Sequence, residues 1–162
     1  MLVVFDLDGV VIDSHDLVMS SYRRAGADPP DDILSYEGVD WCSPDVKRRK
    51  DVFYLRSVHT VPLLSGWHTA VRLRRLQHDV RCLSGAPIGT LSRLQWRLDD
   101  LWPFSSLSLD GTRTPVKMEI LRNWGEGVYV DDQTKLVDVP DGWRFVHYTG
   151  QRLNELVKEI IE

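Results

Sequence analysis

Short apolar runs, each closed by a polar residue or a glycine, recur along the chain. The first covers residues 1–5, is continuously apolar and ends at Asp6. Apolar runs of this length, with β-branched residues and bounded by turn signals, are typical of strands buried on both faces. Further runs occupy residues 80–83, 127–130 and 143–148, with a weaker one at 105–109. The pattern therefore predicts five strands.

Segments with helical spacing separate most of these runs. Apolar side chains recur every three or four residues in four segments: 66–79, 88–101, 115–124 and 151–162. Strands that alternate with helices imply right-handed crossovers and a parallel sheet covered by helices on both faces. We therefore predict an α/β fold of three layers.

The segment from residue 15 to residue 64 does not follow this rhythm. It contains a turn cluster at residues 28–32, and Ser43 before Pro44 predicts a helix start. We predict a small, mainly helical insertion over 15–64, and a core domain formed by 1–14 and 65–162.

The composition narrows the class of protein. Hydrophobic residues make up 43% and charged residues 27% of the 162 residues, and no segment approaches the ~18 apolar residues of a membrane span. The net charge of −4 gives no global argument for a nucleic-acid partner. Cys42 and Cys82 are too few for a disulfide framework, and the N-terminus has no basic leader. We expect a cytoplasmic protein, and the sequence does not indicate its oligomeric state.

Carboxylates follow two of the predicted strands. Asp6 and Asp8 are alternate residues at the end of the first, so both can face one pocket. Asp131 and Asp132 end another strand, and ligands of such folds bind outside the carboxyl ends of the strands. Carboxylates that lie together repel one another, and magnesium, which takes few protein carboxylates, would relieve that repulsion.

A hydroxyl group and a lysine complete the set of candidate groups. Ser84 and Gly85 end a third strand and offer a hydroxyl and an unhindered backbone amide, while Lys117 lies near a predicted helix start. A carboxylate nucleophile, a proton-transfer carboxylate, a cation site and a lysine are the groups that phosphoryl transfer needs.

In chain order, these residues resemble the four motifs of the haloacid-dehalogenase-like (HAD) superfamily. The matching segments are Asp6-Leu7-Asp8-Gly9-Val10, Leu83-Ser84-Gly85, Lys117 and Val130-Asp131-Asp132. Residues 62–66, which lead into a helix, also resemble members whose cap is inserted after the first motif. The resemblance implies a Rossmann-like core with the strand order 5-4-1-2-3 and a small helical cap.

The resemblance also implies catalytic roles. Asp6 would attack phosphorus to form an aspartyl-phosphate, and Asp8 would protonate the leaving group and then activate water. Ser84, the Gly85 amide and Lys117 would bind the phosphate.

Magnesium is the cofactor that the resemblance implies. It would bind the Asp6 carboxylate, the backbone carbonyl of Asp8 and Asp132, with Asp131 as a direct or an outer ligand. Gln133 stands where serine is frequent in the family, so the outer shell of the metal can differ.

The expected function is hydrolysis of a phosphate monoester, with a nucleotide or another small phosphorylated metabolite as substrate. The nucleotide is favoured because the helix at 88–101 carries Trp96 in a manner similar to the deoxyribonucleotidases of this superfamily. The alternatives are a phosphomutase, a polynucleotide end phosphatase and a non-catalytic phosphate-ligand binding protein on the same fold. Dehalogenation is disfavoured because Asp8 is present.

Other prominent side chains are assigned structural or peripheral roles. We expect the basic run Lys47-Arg48-Arg49-Lys50 to be a solvated helix face, with attraction of a nucleotide or polynucleotide phosphate as the alternative. Trp41, Tyr36 and His15 are candidates to border the substrate. Five tryptophans are expected to be buried or half-buried: Trp67, Trp96, Trp102, Trp124 and Trp143.

Overall fold

The computed structural model describes residues 1–31, 42–98, 101–105, 114–133 and 138–162. In chain order the elements are β1 (Leu2–Phe5), α1 (His15–Arg24), α2 (Pro44–Ser57), a 3₁₀ turn (Val58–Thr60), α3 (Ser65–Arg75), β2 (Asp79–Cys82), α4 (Thr90–Leu98), α5 (Thr114–Trp124), β3 (Gly127–Asp131), β4 (Trp143–His147) and α6 (Leu153–Ile161). None of the helices in these ranges is both long enough and apolar enough to cross a membrane.

The described strands form one parallel sheet in the order β2-β1-β3-β4. β1 lies inside the sheet, where Val3 is in register with Val80 on one side and with Val128 on the other. A central parallel strand is covered on both faces, which explains why residues 1–5 read as a continuous apolar run.

The sheet has four described strands where the sequence predicts five. Most of the weaker run at 105–109 lies outside the described residues. Its first residue is described, and the Ser105 amide donates to the Val80 carbonyl at 2.8 Å. A fifth strand in the order 5-4-1-2-3 therefore stays a prediction.

Helices cover both faces of the sheet, as the α/β prediction requires. Val3 packs in one hydrophobic cluster with Leu73 of α3 and Leu156 of α6. Val4, which points the opposite way, packs in a second cluster with Leu121 of α5. The three-layer α/β architecture is confirmed.

The predicted insertion contributes two helices that pack on each other. Pro44 begins α2 after Ser43, whose Oγ accepts the Val46 amide at 3.3 Å, as expected of an N-cap. Arg49 of α2 donates to the Ala25 carbonyl at the end of α1, at 3.1 Å. Whether residues 15–64 form a unit separate from the core stays a prediction.

The basic run on α2 is not a uniformly solvated face. Lys47, Arg48 and Arg49 are exposed, but Lys50 is only 8% exposed. Its ammonium lies 2.5 Å from Asp51 and 5.1 Å from the centroid of the Tyr22 ring. A nearby carboxylate and an aromatic face compensate for part of the hydration that the buried ammonium loses.

The expectation of burial is wrong for Trp96, which is 82% exposed. Leu91 and Leu94 define the buried side of α4, and position 96 is about 200° around the helix from position 94. The other described tryptophans are buried or half-buried as expected: Trp67, Trp102, Trp124 and Trp143. Trp41 and Tyr36 lie outside the described residues.

Candidate active site

The carboxyl ends of three strands meet at one edge of the sheet. The Asp6 amide donates to the Val130 carbonyl, and the Leu83 amide donates to the Phe5 carbonyl, both at 2.9 Å. The backbone hydrogen bonds between neighbouring strands therefore continue to the carboxyl ends of β1, β2 and β3. The polar residues that end these strands are brought side by side, as the sequence predicts.

A buried ion pair joins the first and third predicted motifs. Nζ of Lys117, on α5, donates to Oδ1 of Asp6 at 2.7 Å, and the two side chains are 5% and 13% exposed. Burial alone would lower the pKa of Lys117, but the carboxylates of Asp6 and Asp131 outweigh it and raise that pKa. Lys117 is therefore a fixed positive charge against the predicted nucleophile.

Three carboxylates form a cluster that can hold a cation. Ligand atoms of Asp6, Asp131 and Asp132 lie within 4.8 Å of one another. Burial first, and the Asp6 charge second, raise the pKa of Asp131 well above its usual value and that of Asp132 to about 6. Such crowding is unfavourable without a counter-charge, and an all-oxygen donor set suits magnesium. The residues present therefore fit the cofactor that the motifs imply.

Asp131 is held in place by hydrogen bonds to both of its carboxylate oxygens. Oδ1 accepts the backbone amide of Gln133 at 3.1 Å, and Oδ2 accepts the phenol hydroxyl of Tyr129. Tyr129 was not among the predicted site residues, although it lies two residues before Asp131 and hence on the same face of β3. Residue 133 binds Asp131 through its backbone amide, and any residue except proline could donate this hydrogen bond.

Gly9 allows Asp132 to lie close to the turn that follows β1. Its φ is +80°, a backbone conformation that residues with a Cβ atom rarely adopt. A Cβ atom at this position would lie 2.1 Å from Oδ2 of Asp132. The glycine of the first motif is therefore required both for the turn and for the approach of the carboxylate.

The Asp8 side chain is engaged by two hydroxyl groups. Its Oδ1 accepts Oγ of Ser14 at 2.5 Å and the hydroxyl of Tyr54 at 2.7 Å. Burial raises the pKa of Asp8, and burial with the adjacent Asp8 charge raises that of Tyr54 well above 10. A raised pKa suits the predicted role of Asp8 as a proton donor. No sequence signal pointed to Tyr54, which is 46 residues away on α2.

The second predicted motif lies at the same edge in a tight turn. Ser84 is fully buried, and its Oγ accepts the Ala86 amide at 3.0 Å, while Gly85 is exposed. Their roles in phosphate binding stay predictions. His15 does not join the carboxylates: its Nε2 donates to the Asp31 carbonyl at 2.9 Å, and this hydrogen bond raises its pKa.

No family model matches the sequence, and no curated protein matches it either. Solved structures do match. A HAD-superfamily hydrolase from Geobacter sulfurreducens superimposes with a TM-score of 0.65 at 17% identity, covering 98% of each chain. A predicted phosphoglycolate phosphatase from Haemophilus somnus gives 0.63 at 17% identity, covering 94% of this chain and 87% of its own. The chain therefore shares the fold of these HAD-superfamily structures.

The match to the HAD fold extends over nearly the whole chain. A Thermotoga maritima structure, provisionally named a beta-phosphoglucomutase, covers 99% of both chains with a TM-score of 0.58 at 15% identity. At 15–17% identity this likeness shows the fold. The Rossmann-like α/β fold that the four short motifs imply thus agrees with the arrangement of the sheet and helices.

Proposed function

We propose that this protein is a magnesium-dependent phosphate monoester hydrolase that acts through an aspartyl-phosphate on Asp6. The observation that carries the proposal is the buried Asp6–Lys117 ion pair, which adjoins the carboxylates of Asp131 and Asp132 on a HAD fold. A structural ion pair would not need two further carboxylates with raised pKa values beside it.

Magnesium would be held by Asp6, Asp132 and the Asp8 carbonyl, with Asp131 as a direct or outer ligand. When bound, it would neutralise charge on the carboxylates and on the phosphate. A cation bound there would offset the repulsion among the three carboxylates, which explains why they lie so close together.

The reaction has two steps. A carboxylate oxygen of Asp6 bonds to phosphorus as the bond from phosphorus to the leaving oxygen breaks, and Asp8 gives its proton to that oxygen. Asp8, now ionised, takes a proton from water as the water oxygen attacks phosphorus. The bond to Asp6 then breaks, which releases inorganic phosphate and restores both carboxyl groups.

The remaining residues bind and position the phosphate. Lys117 keeps its positive charge beside Asp6 and would offset the negative charge of the incoming phosphate. Ser84 and the Gly85 amide would donate to its oxygens, and the exposed Gly85 leaves a backbone group accessible to a ligand. Lys117 is held by Asp6 before substrate arrives, so its charge needs little reorganisation in the transition state.

We propose a small phosphorylated metabolite as substrate, with a nucleotide as the first candidate. The basic run on α2 adds little support for a nucleotide or a polynucleotide phosphate, because much of it makes contacts within the protein. Arg48 pairs with Asp45, Arg49 donates to Ala25, and Lys50 is buried beside Asp51.

The test is phosphate release from nucleotides, sugar phosphates and an aryl phosphate, with magnesium and with chelator. Asp6→Asn should lower kcat by on the order of 1000-fold or more, because the nucleophile is lost. Asp141→Asn, at an exposed position, is the matched control and should keep full activity. Equal turnover by Asp6→Asn, or turnover that survives chelation, would contradict the proposal.

A phosphomutase is the second candidate, favoured by the provisional name of the Thermotoga maritima structure. A mutase would return the phosphoryl group from Asp6 to a sugar instead of to water. An assay that follows a sugar monophosphate in the presence of its bisphosphate separates the two functions. Isomerised sugar phosphate without net phosphate release would select the mutase.

A further inference from the structure

Two hydroxyl groups converge on the same oxygen atom of Asp8. Ser14, fully buried before α1, and Tyr54, 1% exposed on α2, both donate to Oδ1. Each hydroxyl has one proton to give, so Oδ1 accepts two hydrogen bonds. The groups that hold this carboxyl therefore come from segments on either side of the turn cluster at 28–32.

This arrangement distinguishes the two oxygens of the carboxyl group. With two donors directed at Oδ1, the proton of the neutral acid is placed on Oδ2. A carboxyl fixed at one oxygen also cannot rotate freely about its Cβ–Cγ bond. Proton transfer requires hydrogen-bond reach and alignment, so a fixed carboxyl reduces the reorganisation needed to reach the transition state.

The tyrosine is itself held by its neighbours on α1 and α2. Lys50, one turn before Tyr54, places its ammonium 5.8 Å from the Tyr54 ring centroid and 5.1 Å from that of Tyr22 on α1. The same ammonium pairs with Asp51 at 2.5 Å. The burial of Lys50 is therefore explained by a packed layer that keeps the Tyr54 ring in place.

We propose that Tyr54, together with Ser14, is a positioning residue that directs the acidic proton of Asp8 toward the leaving group. The inference rests on the proposed phosphatase function and deepens it. In the first step the proton passes from Oδ2 of Asp8 to the leaving oxygen as the bond from phosphorus to that oxygen breaks. In the second step Oδ2 takes a proton from the attacking water. Tyr54 neither gains nor loses a proton.

The dependence on leaving group tests this role. A nitrophenolate departs without much help from an acid, whereas an alkoxide needs a proton in the transition state. Tyr54→Phe should therefore lower kcat/KM for an alkyl phosphate by about 10-fold or more, but for p-nitrophenyl phosphate by less than about 2-fold. The quantity measured is the fold loss of kcat/KM on the alkyl phosphate divided by the fold loss on p-nitrophenyl phosphate. A variant that is merely less stable would lose both activities equally, so this ratio would stay near one.

Matched variants make the result decisive. Ser14→Ala should change the ratio in the same direction, and it carries the test should Tyr54→Phe fail to fold. Tyr22→Phe removes the phenol hydroxyl from a buried residue of the same layer and should leave the ratio at the wild-type value. Thermal unfolding of each variant checks that it is folded.

Two results would overturn the inference. Equal losses on both substrates in Tyr54→Phe and Ser14→Ala would assign the hydroxyls to stability alone and leave the phosphatase proposal intact. Absence of turnover by the wild-type protein on either substrate would instead overturn the proposed function, and this inference with it.

Discussion

At the scale of single residues, Lys117 is the group whose charge matters most. Replacing it with methionine leaves Asp6 buried beside Asp131 without the ammonium that pairs with it, so we expect kcat/KM to fall by on the order of 100-fold or more. Breaking a buried pair should also cost roughly 3–5 kcal/mol of unfolding free energy. Kinetics and urea unfolding measure the two effects. Lys158→Met, at an exposed lysine on α6, should change neither, and comparable losses there would refute the assignment.

Gly9 tests the close approach of a carboxylate to the backbone. Gly9→Ala meets two costs, a φ of +80° and a Cβ atom 2.1 Å from Oδ2 of Asp132. Gly26→Ala is the matched control, because its φ is +92° but no atom lies within 4 Å of the added Cβ. We expect about 1–2 kcal/mol of destabilisation in the control from the backbone alone. Gly9→Ala should lose more and also bind magnesium more weakly by calorimetry, and identical behaviour of the two would contradict this.

At the scale of elements, α4 carries both a buried and an exposed large apolar side chain, and we expect their removal to affect stability differently. Leu94 is 1% exposed, so Leu94→Ala should destabilise the protein by about 2–5 kcal/mol. Trp96 is 82% exposed, so Trp96→Ala should change stability by no more than about 0.5 kcal/mol. Urea unfolding of the two variants measures the difference. A large loss in Trp96→Ala would show that the ring is covered in solution.

Some elements of the fold and of the candidate site were predictable from the sequence, and others were not. β1 was predictable because a parallel strand buried on both faces is apolar throughout, and its end placed Asp6 correctly. Tyr54 and Lys50 were not predictable, because Tyr54 binds Asp8, which follows β1, and Lys50 packs on Tyr22 of α1. Helical spacing does not report which buried side chain reaches a distant residue. The expectation that Trp96 is buried or half-buried is wrong because its hydrophobic character does not reveal on which side of α4 it lies. The convergence of the strand ends was predictable from the parallel sheet, whereas the contacts that Asp8 makes with α2 and with the N-cap of α1 were not.

At the scale of the whole molecule, the carboxylate cluster couples folding to metal binding. Asp6, Asp131 and Asp132 lie on two neighbouring strands of the sheet or directly after them, and no unfolded chain would hold them within 4.8 Å. A cation that binds this cluster therefore binds the folded state alone. Mass action then stabilises that state by about 2.7 kcal/mol at a concentration 100 times the dissociation constant.

Magnesium should accordingly raise the thermal unfolding midpoint of the wild-type protein. With chelator, the midpoint should stay at the lower value of the metal-free protein. Asp132→Asn removes one of three crowded charges, so without magnesium this variant should be at least as stable as the wild type. With magnesium it should gain little, because a ligand is missing. Asp138→Asn, at an exposed position, should keep the full magnesium shift. A wild-type midpoint that does not respond to magnesium would count against the cluster as a metal site. An unchanged shift in Asp132→Asn would instead place the metal elsewhere in the molecule.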